Sequence, residues 1–394
     1  MAETGPRFAS RTAWNLQPNR LALLQESRRR AGQATLDLTA SNPTRCGFAY
    51  DEDGILAALA DRRGLLYDPQ PKGQLSARQA VSQYYADRNV AVDPERVLLT
   101  SGSSEAYAHL LRLLADPGDN VLVPIPGYPL FEFLCRLNDI ELVGYALEYH
   151  GQWEIDFDWL EAAAGARTRA VVVVNPNNPT GSLVKPQERQ RLAAFCRRHG
   201  LALIADEVFL DFCFPGSAAL AGTMAATDSA LTFTLNGLSK TAALPQMKLG
   251  WIVASGPPEL VEPALARLEI IADTYLTVGA MVQWALPKLL DGRHAIQRQI
   301  LARVSESLSR LDRLTSQSLC TRLDVEAGWS VVIRVPDTRT DEEWALHLLE
   351  QDGVLVHPGH FFNFEREGYL VISLLPPPDV FDEGVARLLA RMTR

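Results

Sequence analysis

The chain predicts an α/β fold. Its large domain has a mostly parallel seven-stranded sheet between helices, and a smaller α+β domain follows. Three observations lead there. Short apolar runs alternate with helical patterns from Val97 onward. Those runs are continuously apolar rather than alternating, as strands covered on both faces are. The polar residues that stand out fall just past the ends of these runs, where ligands sit in such sheets.

The first residues read as an arm, with Leu21–Arg30 as an amphipathic helix and 36–39 as a short strand. Ser41-Asn42-Pro43-Thr44-Arg45 is a turn cluster, and Tyr67-Asp68-Pro69 with Gly73 is an ordered loop. Ser76–Arg88 is helical, with Ala77, Ala80, Val81 and Tyr84 on one face. Strands are then expected at 97–100, 120–124, 140–146, 170–174, 201–205, 231–235 and 249–254. Helices are expected at 104–115, 129–137 and 186–199 among them, then at 257–272, 279–290 and 294–314. The smaller segment has strands near 329–335, 354–357 and 369–374, with helices at 341–352 and 379–391. The implied division is residues 1–50 as an arm with part of the small domain, 51–285 as the large domain and 286–394 as the small domain. Two such domains share one deep cleft.

Composition narrows the function. A net charge of −9 argues against nucleic acid as a partner. Arg28-Arg29-Arg30 then reads as a solvated helix end. Cys46, Cys135, Cys196, Cys213 and Cys320 have no C-x-x-C spacing, so they read as buried thiols in a reducing cytoplasm. Residues 1–11 lack the apolar stretch of a secretory signal, and runs such as 170–174 are too short to span a bilayer. His357 and His360 have no evident third partner for a metal, so no metal is expected.

Four stretches carry chemistry. Leu235-Asn236-Gly237-Leu238-Ser239-Lys240 follows a buried strand, and small neighbours shield the lysine. Shielding favours the neutral amine, a nucleophile towards carbonyls. Thr100-Ser101-Gly102-Ser103-Ser104 joins a strand to a helix, offering free N–H groups and hydroxyls to an anion. Alone, Ser103 or Ser104 reads equally as an N-cap. Asn175-Pro176-Asn177-Asn178-Pro179-Thr180-Gly181 is a stiff loop past a strand, able to present the Asn178 amide. Asp206 ends a buried strand and needs a cationic partner, either a protonated heterocyclic nitrogen or an arginine. Glu207 points the other way, towards protein.

With Tyr128 in Pro126-Gly127-Tyr128-Pro129, these stretches make the chain resemble the aminotransferase class I/II family, fold-type I enzymes that use pyridoxal 5′-phosphate. The resemblance spans roughly residues 36–390. It rests on NPNNPTG, on the DEVF strand end, and on LSK leading to LGW. It implies that Lys240 forms a Schiff base with the cofactor and shuttles the proton between substrate and cofactor. Asp206 would keep the pyridine nitrogen protonated, Asn178 would bond the phenolic oxygen and Tyr128 would stack on the ring. Ser103 and Ser104 would hold the phosphate. Tyr67 would reach the phosphate of a neighbouring subunit, implying a homodimer with shared sites. The implied partners are an amino donor and a keto acid.

Four positions depart from that pattern. Phe209 replaces a tyrosine that bonds the phenolic oxygen. Gly237 replaces a phosphate-binding serine, leaving Ser239 to take up part of its role. Lys248 replaces a phosphate-binding arginine, keeping the charge but losing the fork. Val371 stands where an arginine clamps the substrate carboxylate. Another cation then does so, or the substrate lacks that group. Arg45, beside Asn42, is the first candidate, ahead of Arg366 and Lys72. A lyase, decarboxylase or oxidase on the same scaffold is the rival reading. A cofactor-binding sensor without turnover is the rival from another class.

Overall fold

The computed structural model describes residues 8–393. The remaining residues of the expected arm, 1–7, and the final residue lie outside the described part. Fourteen strands are present among the described residues: β1 (Leu36–Asp37), β2 (Val97–Thr100), β3 (Asn120–Ile125), β4 (Glu141–Tyr149), β5 (Trp153–Ile155), β6 (Thr168–Val174), β7 (Ala202–Asp206), β8 (Thr232–Gly237), β9 (Gly250–Ser255), β10 (Thr321–Arg322), β11 (Ser330–Arg334), β12 (Val354–Leu355), β13 (His357–Pro358) and β14 (Tyr369–Ser373).

The large sheet has eight strands in the order β2-β9-β8-β7-β6-β3-β4-β5. The expected count of seven is corrected by β5. That three-residue strand folds back antiparallel on β4, with Tyr149 opposite Trp153, and is too short to show a period. Strands β8, β7, β6, β3 and β4 are mutually parallel, while β9 is antiparallel to β2 and β8.

Period-two alternation splits each strand between two apolar layers. Val172, Ile204, Phe233 and Ile252 face one layer, with Tyr107 and Leu110 of helix Ser103–Leu114 and Val261 and Leu268 of helix Pro258–Tyr275. Leu122, Val171, Val173 and Leu203 face the other, with Leu192, Phe195 and Cys196 of helix Pro186–His199. This two-sided burial is why the strands read as unbroken apolar runs.

The small sheet is antiparallel, in the order β10-β11-β14-β13. Val331, Ile333, Leu370 and Ile372 face the helices Arg293–Thr315 and Pro378–Met392. Val332 and Val371 point to the opposite face, with Trp153, Leu323 and Phe362. β1 pairs parallel with β12, and the Ser373 N–H donates to the Leu38 carbonyl at 2.7 Å. The N-terminal segment is thereby fastened to the small sheet. The helix expected over 341–352 is regular only across Asp341–His347 and continues to Asp352 as a wider turn. The strand expected over 354–357 is divided into β12 and β13.

Candidate active site

The parallel strands end on one edge of the large sheet, and the candidate residues gather there. Asp206 is the last residue of β7, opposite Val174 of β6 and Leu235 of β8. Its carboxylate is buried and accepts from the Val208 N–H and from the Tyr107 hydroxyl, both at 3.2 Å. Burial pushes its pKa up to about 6, against the pull of Val208, Tyr107 and the Lys240 charge. Glu207, in contrast, is turned into the protein. It accepts from the Thr223 hydroxyl and the Met224 N–H, both at 2.6 Å.

Lys240 stands in the helical turn Leu238–Thr241, directly after β8. This turn is pinned from several sides. The Thr241 hydroxyl donates to Asn236 Oδ1 at 2.9 Å, and the Gly237 N–H donates to the same oxygen at 2.7 Å. Gln297 of the helix Arg293–Thr315 donates to the Thr241 carbonyl at 2.8 Å, and the Tyr50 hydroxyl to the Ala243 carbonyl at 2.9 Å. The Lys240 ammonium position lies 5.0 Å from the Trp329 ring centre and 5.4 Å from that of Phe209. Burial lowers its pKa, and the Asp206 carboxylate opposes that shift. The amine is therefore closer to its nucleophilic form than a surface lysine.

The anion cradle is at the start of helix Ser103–Leu114. Gly102 precedes it with no side-chain cap. Among the described residues, the Ser103 and Ser104 hydroxyls have no hydrogen-bond partner. A β-carbon placed on Gly102 would lie 3.7 Å from Lys248 Nζ, so a cation overhangs these free N–H groups. Lys248 itself has left-handed backbone, with φ 49°.

The same crowding accounts for Gly237. A β-carbon there would come within 2.8 Å of Gly250 Cα and 2.9 Å of the Leu249 carbonyl oxygen. Gly250 in turn leaves 3.0 Å between its own β-carbon position and Gly102 Cα. Three glycines thus bring β8, β9 and the cradle together, and no serine fits at 237. Ser239 is half-buried in the next turn.

In the 175–181 loop, the asparagines divide their tasks. Asn175 accepts from the Val184 N–H at 2.9 Å and donates to the Gly222 carbonyl at 3.1 Å. Asn177 accepts from the Thr180 hydroxyl at 3.0 Å. The half-buried Asn178 has no side-chain bond among the described residues, which leaves its amide available. Tyr128 is partly exposed, and its pKa is raised by burial first and by the Asp206 charge second.

Some expected residues are not brought in. Tyr67, expected to reach a neighbouring subunit, is 86% exposed on this chain. Lys72 is committed to Glu95 at 2.5 Å, which removes it as a carboxylate ligand. The Asn42 oxygen caps its own turn, accepting from the Thr44 N–H at 3.1 Å and hydroxyl at 2.8 Å. Arg45 is exposed and without an ion pair among the described residues. Tyr107 and Trp329 were not foreseen from the sequence. Tyr107 carried a usable signal, lying one helical turn after Ser103; Trp329 carried none, because only the tertiary fold sets it over Lys240.

The residues present fit pyridoxal phosphate. The cradle is open, the Asn178 amide is free, and a buried carboxylate lacks a full cationic partner. Comparison with known proteins agrees. The chain matches the family described as aminotransferase class I and II over residues 41–388. A Haemophilus influenzae protein named glutamate-pyruvate aminotransferase AlaA is 28% identical, covering 91% of this chain and 90% of its own. An alanine aminotransferase of Mycobacterium bovis is 30% identical, covering 88% and 82%. The crystal structure of an Escherichia coli aminotransferase superposes with a TM-score of 0.88 at 25% identity, covering 99% of each chain. The chain belongs to the aminotransferase class I and II family and is a pyridoxal-phosphate-dependent aminotransferase.

Proposed function

We propose that Lys240 is the residue that binds the cofactor and carries the proton in transamination, with Asp206 as its electrostatic counterpart. One observation carries this: a pinned, shielded lysine and a buried carboxylate face the same sheet edge, beside an anion cradle. The bound cofactor supplies a carbonyl to capture amines and a ring that takes up electron density. With the cofactor bound, Asp206 would hold the proton on the ring nitrogen, and the Tyr107 hydroxyl would keep Asp206 ionised. The Lys240 amine would take and return the proton at the substrate's α carbon. Ser103, Ser104, Ser239 and Lys248 would hold the phosphate. Asn178 would donate to the phenolic oxygen, and Tyr128 would cover the ring.

The substrates in this reading are an amino acid donor and a keto acid acceptor. The relatives' names place glutamate, alanine and pyruvate first in a test panel. Arg45, with the Asn42 amide beside it, and Arg366 are the candidate carboxylate ligands.

The domain division in this reading is 51–285 and 286–394, with residues up to 50 joined to the latter. The β1–β12 pair supports it. A homodimer is also part of the proposal. Its support is the exposed run Leu65, Leu66 and Tyr67, 72%, 71% and 86% open to solvent. A reducing cytoplasm suits the five cysteines, all unpaired.

The experiment is a half-reaction. Protein loaded with pyridoxal phosphate is mixed with a panel of L-amino acids, and the cofactor's absorbance band is followed. Loss of the band, restored by a keto acid, is the expected result. A loaded cofactor that no donor converts contradicts the proposal.

A further inference from the structure

The turn of β4 into β5 and the loop leading into β14 face each other across a cleft of about 290 Å³. Its walls are aromatic. Tyr149, Trp153 and Trp159 stand on one side, Phe364 and Tyr369 on the other. The rings form a continuous surface. Tyr149 and Trp153 are 5.1 Å apart, Trp153 and Phe364 6.3 Å, and Phe364 and Tyr369 4.8 Å at 29°.

This cleft is linked to the candidate site through the Tyr128 loop. Pro126, two residues before Tyr128, is one of its lining residues. The Gly127 N–H donates to the Phe362 carbonyl at 2.9 Å, tying the Tyr128 loop to the turn between β13 and β14. The floor runs into the cluster of Trp153, Val332, Phe362 and Val371. Val371 is only 2% exposed there, so the strand position that would present a carboxylate ligand is sealed by apolar packing.

The rim carries one free cation among the described residues that line the cleft. Arg366 is exposed and makes no ion pair. Glu148, on the opposite rim, is engaged by His150 at 3.0 Å. Glu365 is exposed beside Arg366. A pocket with aromatic walls and one unpaired guanidinium suits an apolar body that carries an anionic group.

We propose that this cleft is the substrate's side-chain subsite, that it selects amino and keto acids with an aromatic or bulky apolar side chain, and that Arg366 binds their carboxylate. This rests on the transamination reading and deepens it, because it sets the substrate class apart from that named in the alanine-directed relatives.

The test compares phenylpyruvate with pyruvate as acceptors for the holoenzyme, using one common donor. The expected kcat/KM ratio favours phenylpyruvate by about tenfold or more. Trp159→Ala and Phe364→Ala should cut the phenylpyruvate value about tenfold further than the pyruvate value. Trp159 is 41% exposed, so its truncation leaves the core intact. Arg366→Ala should lower kcat/KM for both acids about tenfold or more, with partial recovery in Arg366→Lys.

A ratio that favours pyruvate, or that neither aromatic truncation changes, overturns the proposal. So does a larger loss in Arg45→Ala than in Arg366→Ala. If no acid is aminated at all, the transamination reading is what has failed. The cleft is then judged by titrating 3-phenylpropionate against tryptophan fluorescence. Saturable quenching, weakened about tenfold in Phe364→Ala, supports the subsite, and no quenching in the wild type overturns it.

Discussion

The Tyr107 hydroxyl donates to Asp206 Oδ2 at 3.2 Å, from one helical turn inside the helix whose first residues form the anion cradle. In the proposed reading one helix therefore serves both ends of the cofactor site: its N-terminus would face the phosphate, and its buried face steadies the carboxylate.

Tyr107→Phe removes one of the two donors that oppose the burial of Asp206. The Asp206 pKa, already pushed up to about 6, rises further. In the proposed role an ionised Asp206 would hold the ring proton, so the acidic limb of the kcat/KM profile should move to higher pH. At pH 6 the loss should be about three- to tenfold, and at pH 8.5 it should nearly vanish. A pH–rate profile checks this; a uniform loss at every pH contradicts it.

Glu207 is fully buried, and burial pushes its pKa up to about 7. A folded-state pKa above the unfolded value means that the folded protein binds more protons between the two. For an acid, stability therefore falls as pH rises from about 4.5 to about 7, then levels off. Glu207→Gln should remove this slope, and gain about 2 kcal/mol relative to wild type between pH 5 and pH 8. Thermal melts of the cofactor-free proteins at both pH values measure it. Parallel pH dependences would count against the account.

Gly237→Ser should not restore a phosphate-binding hydroxyl. The added β-carbon meets Gly250 Cα and the Leu249 carbonyl at under 3 Å, with backbone on both sides. The expected cost is about 2–3 kcal/mol from overpacking, with weaker cofactor retention. Lys248→Ala leaves the fold intact, because the residue is exposed, and should weaken cofactor binding about tenfold. Melting temperatures and equilibrium dialysis of the cofactor separate the two effects.

Thr241→Val removes the hydroxyl that closes the Lys240 turn onto Asn236. It should cost about 1 kcal/mol of stability. It should lower kcat about tenfold with a smaller change in KM, since misplacement of the amine affects the chemical step more than binding. A fall in KM-dependent terms alone would show that the bracket does not position Lys240.

The large sheet was legible because two-sided burial writes strands as unbroken apolar runs, as in Ala170–Val174 and Ala202–Ala205. The site loops were legible because prolines, glycines and small polar residues interrupt those runs at one edge. What the sequence concealed depends on packing between distant segments. β5 is too short to carry a period, and it joins the sheet through its hairpin with β4. The burial of Val371 required knowing that Trp153, over two hundred residues earlier, would pack against it from the large sheet. Gly237 read as a lost serine; the structure shows an approach of β8 on β9 that admits no side chain.

The central claim is that the Lys240 amine captures the cofactor. The direct measurement is borohydride reduction of the pyridoxal-phosphate-treated protein at neutral pH, followed by mass mapping of the modified peptide. The account predicts one phosphopyridoxyl group per chain, on Lys240, and none in Lys240→Ala. A stable adduct on another lysine, or equal labelling of Lys240→Ala, would contradict it.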